Sequence, residues 1–313
     1  MNLPSEMRAV VCHGPEDYRL ETRPVPTLGE DDILIQVEAV GVCASDLKCY
    51  HGAAKFWGGD GREQWAQDNV ISGHEITGTV VKGSESGLNF HGVEVGDRVV
   101  IEQIVPCGEC RYCQRGEYWM CGPHDMFGFR NFDGGMAEYM LIPTRGRVHK
   151  ISNEIPAHHA AFAEPLSCAL HAVERAQLQF EDTLVIAGAG PIGLGVIAGA
   201  RQKNPLRIIA LDMDDKKLEL AKRCGADLTI NIRNEDAVAK VKELTDGYGA
   251  DVYIEATGHP SGVSQGLEML RKLGRFVEYS VFGSETSVDW SIISDDKELD
   301  VYGAHLGPHT LSL

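Results

Sequence analysis

The chain has 313 residues, 43% of them hydrophobic, enough to bury more than one core. Its 29 Lys and Arg against 46 Asp and Glu give a formal charge of −17, which leaves no broad basic surface for nucleic acid or an anionic membrane. No apolar run is long enough to span a bilayer, and residues 1–11, which include Glu6 and Arg8, lack the apolar core of a signal peptide, so the sequence reads as cytoplasmic.

The first half is made of short apolar runs broken by Gly, Pro and Asp, at 33–40, 76–81 and 99–105, the pattern of irregular β structure without a long amphipathic helix. Residues 157–176 read as helical. Strand-like segments at 183–187, 207–211, 228–230, 251–255 and 274–279 then alternate with helix-like segments at 192–203, 215–224, 235–245 and 261–273. Pro191 opens the first of these helices, where a missing N–H costs nothing. Right-handed crossovers make this second half an α/β, doubly wound parallel sheet.

Gly188, Gly190 and Gly193, with Pro191 and Ile192 between them, form G-A-G-P-I-G between a predicted strand and a predicted helix. The first glycine permits a tight turn, the second lets the backbone approach a pyrophosphate, and the third allows close helix-on-strand packing. Asp212 ends the next strand, 19 residues beyond Gly193, where a carboxylate accepts from ribose hydroxyls and repels a 2′-phosphate. The pattern points to NAD rather than NADP, with Lys217 closing over the ribose. The alternative is a structural glycine turn beside a surface acid.

Four of the nine cysteines, Cys107, Cys110, Cys113 and Cys121, are spaced C-x2-C-x2-C-x7-C, so one loop can aim four sulfurs at a tetrahedral ion. That suits a structural Zn²⁺ with every position filled, and Arg111 and Arg115 offset part of its negative charge. The rival is an iron–sulfur cluster, from whose signature the following Cys-Pro is missing. Cys12, Cys49, Cys168 and Cys224 read as ordinary buried thiols.

Gly41-Val42-Cys43-Ala44-Ser45-Asp46, Gly73-His74-Glu75, the four-cysteine loop and the Gly188 turn occur in the order seen in the zinc-containing medium-chain alcohol dehydrogenases, and the chain resembles that family over nearly its whole length. The resemblance implies a GroES-like β-rich catalytic domain at 1–165 carrying two zincs, a Rossmann NAD-binding domain at 166–302, and a short return to the first domain at 303–313. It makes Cys43 and His74 ligands of a catalytic zinc, with Glu75 or Glu164 as the acidic ligand and the other acting through water. Glu164 stands where liver-type enzymes have Cys, which is similar to the polyol branch that handles sorbitol, threitol and erythritol. Ser45 is, by the same resemblance, the first proton acceptor.

The segment from Tyr50 to Trp65, containing Phe56 and Trp57, resembles the erythritol and L-threitol branch, and with Phe129 it is read as roofing or walling a pocket for a short polyol. The implied reaction is oxidation of a secondary alcohol to a ketose by NAD, with L-threonine or butanediol as alternative substrates and a homo-oligomer, tetramer or dimer, as the assembly. Relatives continue for several tens of residues beyond the position of 303–307, so a truncated, catalytically impaired NAD-binding protein is a second expectation. A zinc-braced structural or regulatory protein is the third.

Overall fold

The computed structural model describes residues 3–59, 61–283 and 285–312. They form two units, one running through Glu164 and taking in Leu311, the other Pro165–Thr310.

In the first unit a five-stranded antiparallel sheet has the order Tyr139–Ile142, Ile33–Gly41, Glu75–Gly83, Arg98–Ile101, Val148–Ile151. β-branched residues supply its inner face: Ile33, Ile35, Ile76, Val80, Val99 and Ile101 pack with Phe127 and Met140 into one core. A second sheet pairs Glu6–Cys12 with Tyr18–Pro24 and Val70–Ile71, and a third joins Ile104–Val105, Asp125–Phe127 and Asn131–Phe132. Helices among the described residues here are short, as expected; Ala44–Tyr50 and Glu85–His91 have seven residues each.

The run expected at 99–105 is two strands in different sheets. Glu102 interrupts it because its buried carboxylate turns to Arg147 (3.0 Å) and His149 (2.7 Å), and the chain leaves one sheet for the other. The helix expected at 157–176 is likewise two, Ala157–Ala160 and Ala163–Arg175. Pro165 accounts for the break, since its ring lacks an N–H and would strike the carbonyl four residues back in a continuous helix.

The second unit holds a six-stranded parallel sheet in the order Leu228–Asn231, Arg207–Asp212, Thr183–Ala187, Ala250–Glu255, Leu270–Glu278, Asp300–Gly303. Numbered along the chain, that order is 3-2-1-4-5-6, the doubly wound arrangement. Helix Pro191–Gln202 buries Gly193, Val196, Ile197 and Ala200, a stripe at i, i+3, i+4, i+7, and its Gly195 and Gly199 lie close against Ala169, Leu170 and Val173. Truncating Ile197 to Ala would cost about 2–5 kcal/mol.

Four of the five expected strands agree to within a residue at either end. The helix expected at 261–273 is Pro260–Met269, because Leu270 turns extended and pairs with Ala250, beginning the strand early. The edge strand Asp300–Gly303 is an addition; it is short, and Asp300, Val301 and Gly303 are exposed, so it lacks the apolar run that reveals a strand. Cys12, Cys49 and Cys168 are buried, as expected, whereas Cys224, in the last turn of helix Asp215–Cys224, is only half-buried.

Candidate functional site

The first cluster is assembled where strand Ile33–Gly41 meets strand Glu75–Gly83. Gly41 and Glu75 are register partners, and a Cβ on Gly41 would overlap Glu75 Oε2, so the missing side chain is what admits the carboxylate. Two residues on, Cys43 caps helix Ala44–Tyr50. The Asp46 side chain closes this turn, Oδ2 accepting from the Cys43 N–H at 2.8 Å, in the manner of a capping box. Ahead of the other strand Gly73, at φ +94°, turns the chain so that His74 leads into Glu75.

The ligand atoms of Cys43, His74 and Glu75 all lie within 4.8 Å of one another. His74 is buried, with Ser45 Oγ 3.4 Å from Nε2 and Asp46 Oδ1 3.3 Å from Nδ1, the latter close enough for an ion pair but not aligned as a hydrogen bond. Burial pulls the imidazole pKa down, but Asp46 and Cys43 outweigh it and hold it well above the usual histidine range. Burial raises the Glu75 carboxyl, and His74 opposes that rise.

This donor set fits a divalent ion. A thiolate, an imidazole and a carboxylate at this mutual distance can share an ion at about 2.0–2.3 Å each. An imidazole whose second nitrogen faces a carboxylate is the usual support of a metal-bound histidine. Glu164, buried in the first turn of helix Ala163–Arg175, is outside the group that closes around Cys43 and His74. Asp46 belongs to the site by geometry, although the sequence reading gave it no role. Its position three residues after an N-cap was the signal.

The second cluster is closed. The sulfurs of Cys107, Cys110, Cys113 and Cys121 all lie within 4.8 Å of one another, with Cys107–Cys113 at 3.9 Å and Cys110–Cys113 at 3.6 Å. Four sulfurs about 2.3 Å from one tetrahedral zinc would be about 3.8 Å apart. Backbone N–H groups point at the sulfurs: Cys107 N–H donates to Cys121 Sγ (3.2 Å) and Cys110 N–H to Cys107 Sγ (3.3 Å). Donors from the backbone of Cys113 and Gly122 push the Cys110 thiol down to about 6, toward thiolate. Of the two arginines read as balancing this charge, Arg115 stands 3.4 Å from Glu117 and Arg111 is exposed at the start of helix Arg111–Gln114.

Aromatic side chains stand against the first cluster. The Phe129 ring centroid is 5.0 Å from that of His74, 5.4 Å from Phe56 and 5.6 Å from Trp65. Phe56 and Phe129 are buried, and Trp65 Nε1 is buried without a hydrogen-bond partner among the described residues. Two other residues expected at the pocket have partners of their own: the Tyr50 ring packs edge-on against Tyr18 at 5.3 Å, and Trp57 Nε1 donates to the Cys49 carbonyl at 2.7 Å.

In the second unit the glycine turn has the expected form. Gly188 takes φ +97°, a Cβ on Gly193 would overlap the Gly188 carbonyl oxygen, and a Cβ on Gly190, the N-cap of Pro191–Gln202, would meet nothing within 4 Å. Ile192 packs on the core, and the backbone N–H groups of the first turn have no acceptor within the helix. Asp212 Oδ2 accepts from the Ala189 N–H at 2.8 Å, and Oδ1 from the Met213 and Asp214 N–H groups at 2.8 and 3.0 Å. Strand end and turn are thereby tied together. Lys217 is exposed on helix Asp215–Cys224.

Two family models match the chain: the alcohol dehydrogenase GroES-like domain over residues 29–153 and zinc-binding dehydrogenase over residues 191–312. The chain is 65% identical, over 98% of its length and 85% of the relative's, to erythritol/L-threitol dehydrogenase of Mycolicibacterium smegmatis. It is 37% identical, over 95% of its length and 81% of the relative's, to L-threonine 3-dehydrogenase of Pyrococcus abyssi. Among solved structures it is similar to a zinc-binding dehydrogenase of Sinorhizobium meliloti bound to NADP, with TM-score 0.88 and 29% identity over 98% of this chain and 86% of that one.

Proposed function

This chain belongs to the zinc-binding alcohol dehydrogenases with a GroES-like domain, and on that premise we propose that it oxidises a four-carbon polyol of the erythritol or L-threitol class to a ketose, using NAD. The observation that carries the reading is the convergence of Cys43, His74 and Glu75 beside Ser45, a three-residue donor set of the kind that leaves an ion an open position, whereas the four-cysteine loop is closed.

We assign Cys43, His74 and Glu75 as ligands of a catalytic zinc, with Glu164 acting outside direct ligation, and the four cysteines as ligands of a structural zinc. Held by Cys43, His74 and Glu75, a zinc ion would supply Lewis acidity that lowers the pKa of an alcohol near it. Ser45 Oγ accepts the hydroxyl proton and passes it toward solvent. NAD, held by the Gly188–Gly193 turn and Asp212, would supply the acceptor for the carbinol hydride, so that the hydride and the hydroxyl proton would each have a destination. Asp46 orients His74. Phe56, Phe129 and Trp65 exclude water, and the unpartnered Trp65 N–H donates to a substrate hydroxyl.

Asp212 supports NAD over NADP, because its carboxylate would repel a 2′-phosphate, while Oδ2, which accepts from one backbone N–H, keeps a lone pair for a ribose hydroxyl. That choice differs from the coenzyme held by the Sinorhizobium meliloti structure. No helix among the described residues is long and apolar enough to cross a membrane. Family kinship supports a cytoplasmic homo-oligomer. The test is NADH formation with threitol, erythritol, sorbitol, butane-2,3-diol and threonine, together with zinc per chain. Turnover of a tetritol with two zincs is expected; oxidation of threonine alone would end the polyol reading.

A further inference from the structure

The coenzyme unit contains a network that the dehydrogenase reaction does not use directly. Glu255 and Glu278 end adjacent parallel strands and are register partners, so their side chains leave the same face of the sheet. Glu255 is fully buried and Glu278 half-buried. Two carboxylates on neighbouring strands, about 4.8 Å apart at the backbone, are a costly placement unless something holds them.

Glu255 is held by four donors. Its Oε1 accepts from the Thr257 N–H (3.0 Å) and from the Thr257 hydroxyl, and its Oε2 from the Gly258 N–H (3.0 Å) and from the Ser280 hydroxyl. This one carboxylate therefore fastens two loops, residues 256–258 and 279–281. The first of them touches the glycine turn: a Cβ on Gly188 would meet the Ala256 carbonyl oxygen and Thr257 Cγ2, each at 3.1 Å. Both loops lie at the carboxyl ends of the strands that follow the switch in strand order, where a doubly wound sheet receives its dinucleotide.

Ser280 also joins the second carboxylate, its N–H donating to Glu278 Oε1 at 2.6 Å. Groups from several elements stand around Glu278. On its own side of the sheet the neighbouring strand offers Glu255 and the buried Tyr253, whose hydroxyl donates to the Gly262 carbonyl. The register partner on the opposite strand is Gly303. On helix Pro260–Met269, Glu268 is exposed, and the capping His259 is engaged with Ser261 at 2.8 Å.

We propose that Glu255 is a positioning residue for the coenzyme, bracing the 256–258 and 279–281 loops, and that Glu278 is a proton-binding partner whose ionisation sets two like charges against each other across Ser280 and loosens that brace. Burial, with Glu255 adding to it, raises the Glu278 carboxyl to about 7, so the change falls in the neutral range. Coenzyme affinity is then higher when Glu278 holds its proton and falls as the pH rises.

The inference rests on the coenzyme reading given above, and the test separates the two. NADH is the probe because its ring carries no charge for the carboxylates to attract. Its dissociation constant is measured by fluorescence between pH 6 and pH 8 for the full chain and for Glu278→Gln and Ser280→Ala, with thermal melting of each protein as a check on folding. The expected result is affinity that weakens several-fold across the range in the parent chain, is flat in Glu278→Gln, and is weaker than the parent's at pH 6 in Ser280→Ala. An unchanged pH slope in Glu278→Gln overturns this proposal while leaving the coenzyme reading intact. No NADH binding by the folded parent chain at any pH overturns both.

Discussion

Gly41 faces Glu75 on the neighbouring strand of the five-stranded sheet with no room for a side chain between them, so the carboxylate beside Cys43 and His74 occupies space that a glycine leaves open.

The relationship makes Gly41→Ala a metal-site substitution at a residue that binds nothing. The added methyl must displace Glu75 from Cys43 and His74. We expect bound zinc to fall from about two per chain toward about one, and turnover to drop about 100-fold, on the scale of losing a metal-site support. Elemental analysis and steady-state kinetics check this. Two retained zincs with full activity would mean that Glu75 is dispensable.

Trp65→Phe keeps an aromatic wall beside Phe129 and removes one N–H donor. A neutral hydrogen bond is worth about 0.5–1.5 kcal/mol, so KM for erythritol or threitol should rise about 3–10-fold. Butane-2,3-diol, which lacks the outer hydroxyls, is the control, and its KM should not move. Equal effects on both substrates would assign Trp65 to packing alone.

Asp212→Ser shortens the side chain and removes its charge at the end of the second strand of the coenzyme unit. Loss of charged hydrogen bonds to the ribose, about 1.5–3 kcal/mol, should weaken NAD binding by about 10–100-fold and narrow the preference over NADP. The ratio of kcat/KM for the two coenzymes measures it. A ratio that stays where it was would place the ribose elsewhere.

Glu278 also carries a prediction about stability. Its carboxyl titrates near 7 in the folded chain, above the ordinary 4.5, so between those values the folded state holds a proton that the unfolded state has released. The stability contribution is greatest below about pH 4.5, declines through the interval, and is lost above about 7. Melting temperatures of the parent chain relative to Glu278→Gln should therefore fall from pH 5 to pH 7.5 and level off beyond. A difference that is constant or rises with pH would show that Glu278 is not protonated in the folded chain.

Much of this was legible along the chain because the chemistry is local. Cys107 to Cys121 bring four sulfurs together within one stretch, and Gly188 to Gly193 form a turn whose glycines sit at the positions where a turn needs them. Alternating apolar runs from Thr183 onward specify strands and helices by their own periodicity, and so the doubly wound sheet is readable from the sequence. What spacing could not decide was every pairing between distant segments. Glu75 and Glu164 are equally acidic on paper, and only the register of strand Ile33–Gly41 on strand Glu75–Gly83 brings the former to Cys43 and His74. Glu255 and Glu278 likewise become neighbours only because their strands lie side by side, and packing alone sets the Tyr18 ring against Tyr50 and the Cys49 carbonyl against the Trp57 N–H. Periodicity and turn chemistry act over a few residues and are written in order, whereas register, burial and the partner of each polar group arise from packing segments that the chain keeps far apart.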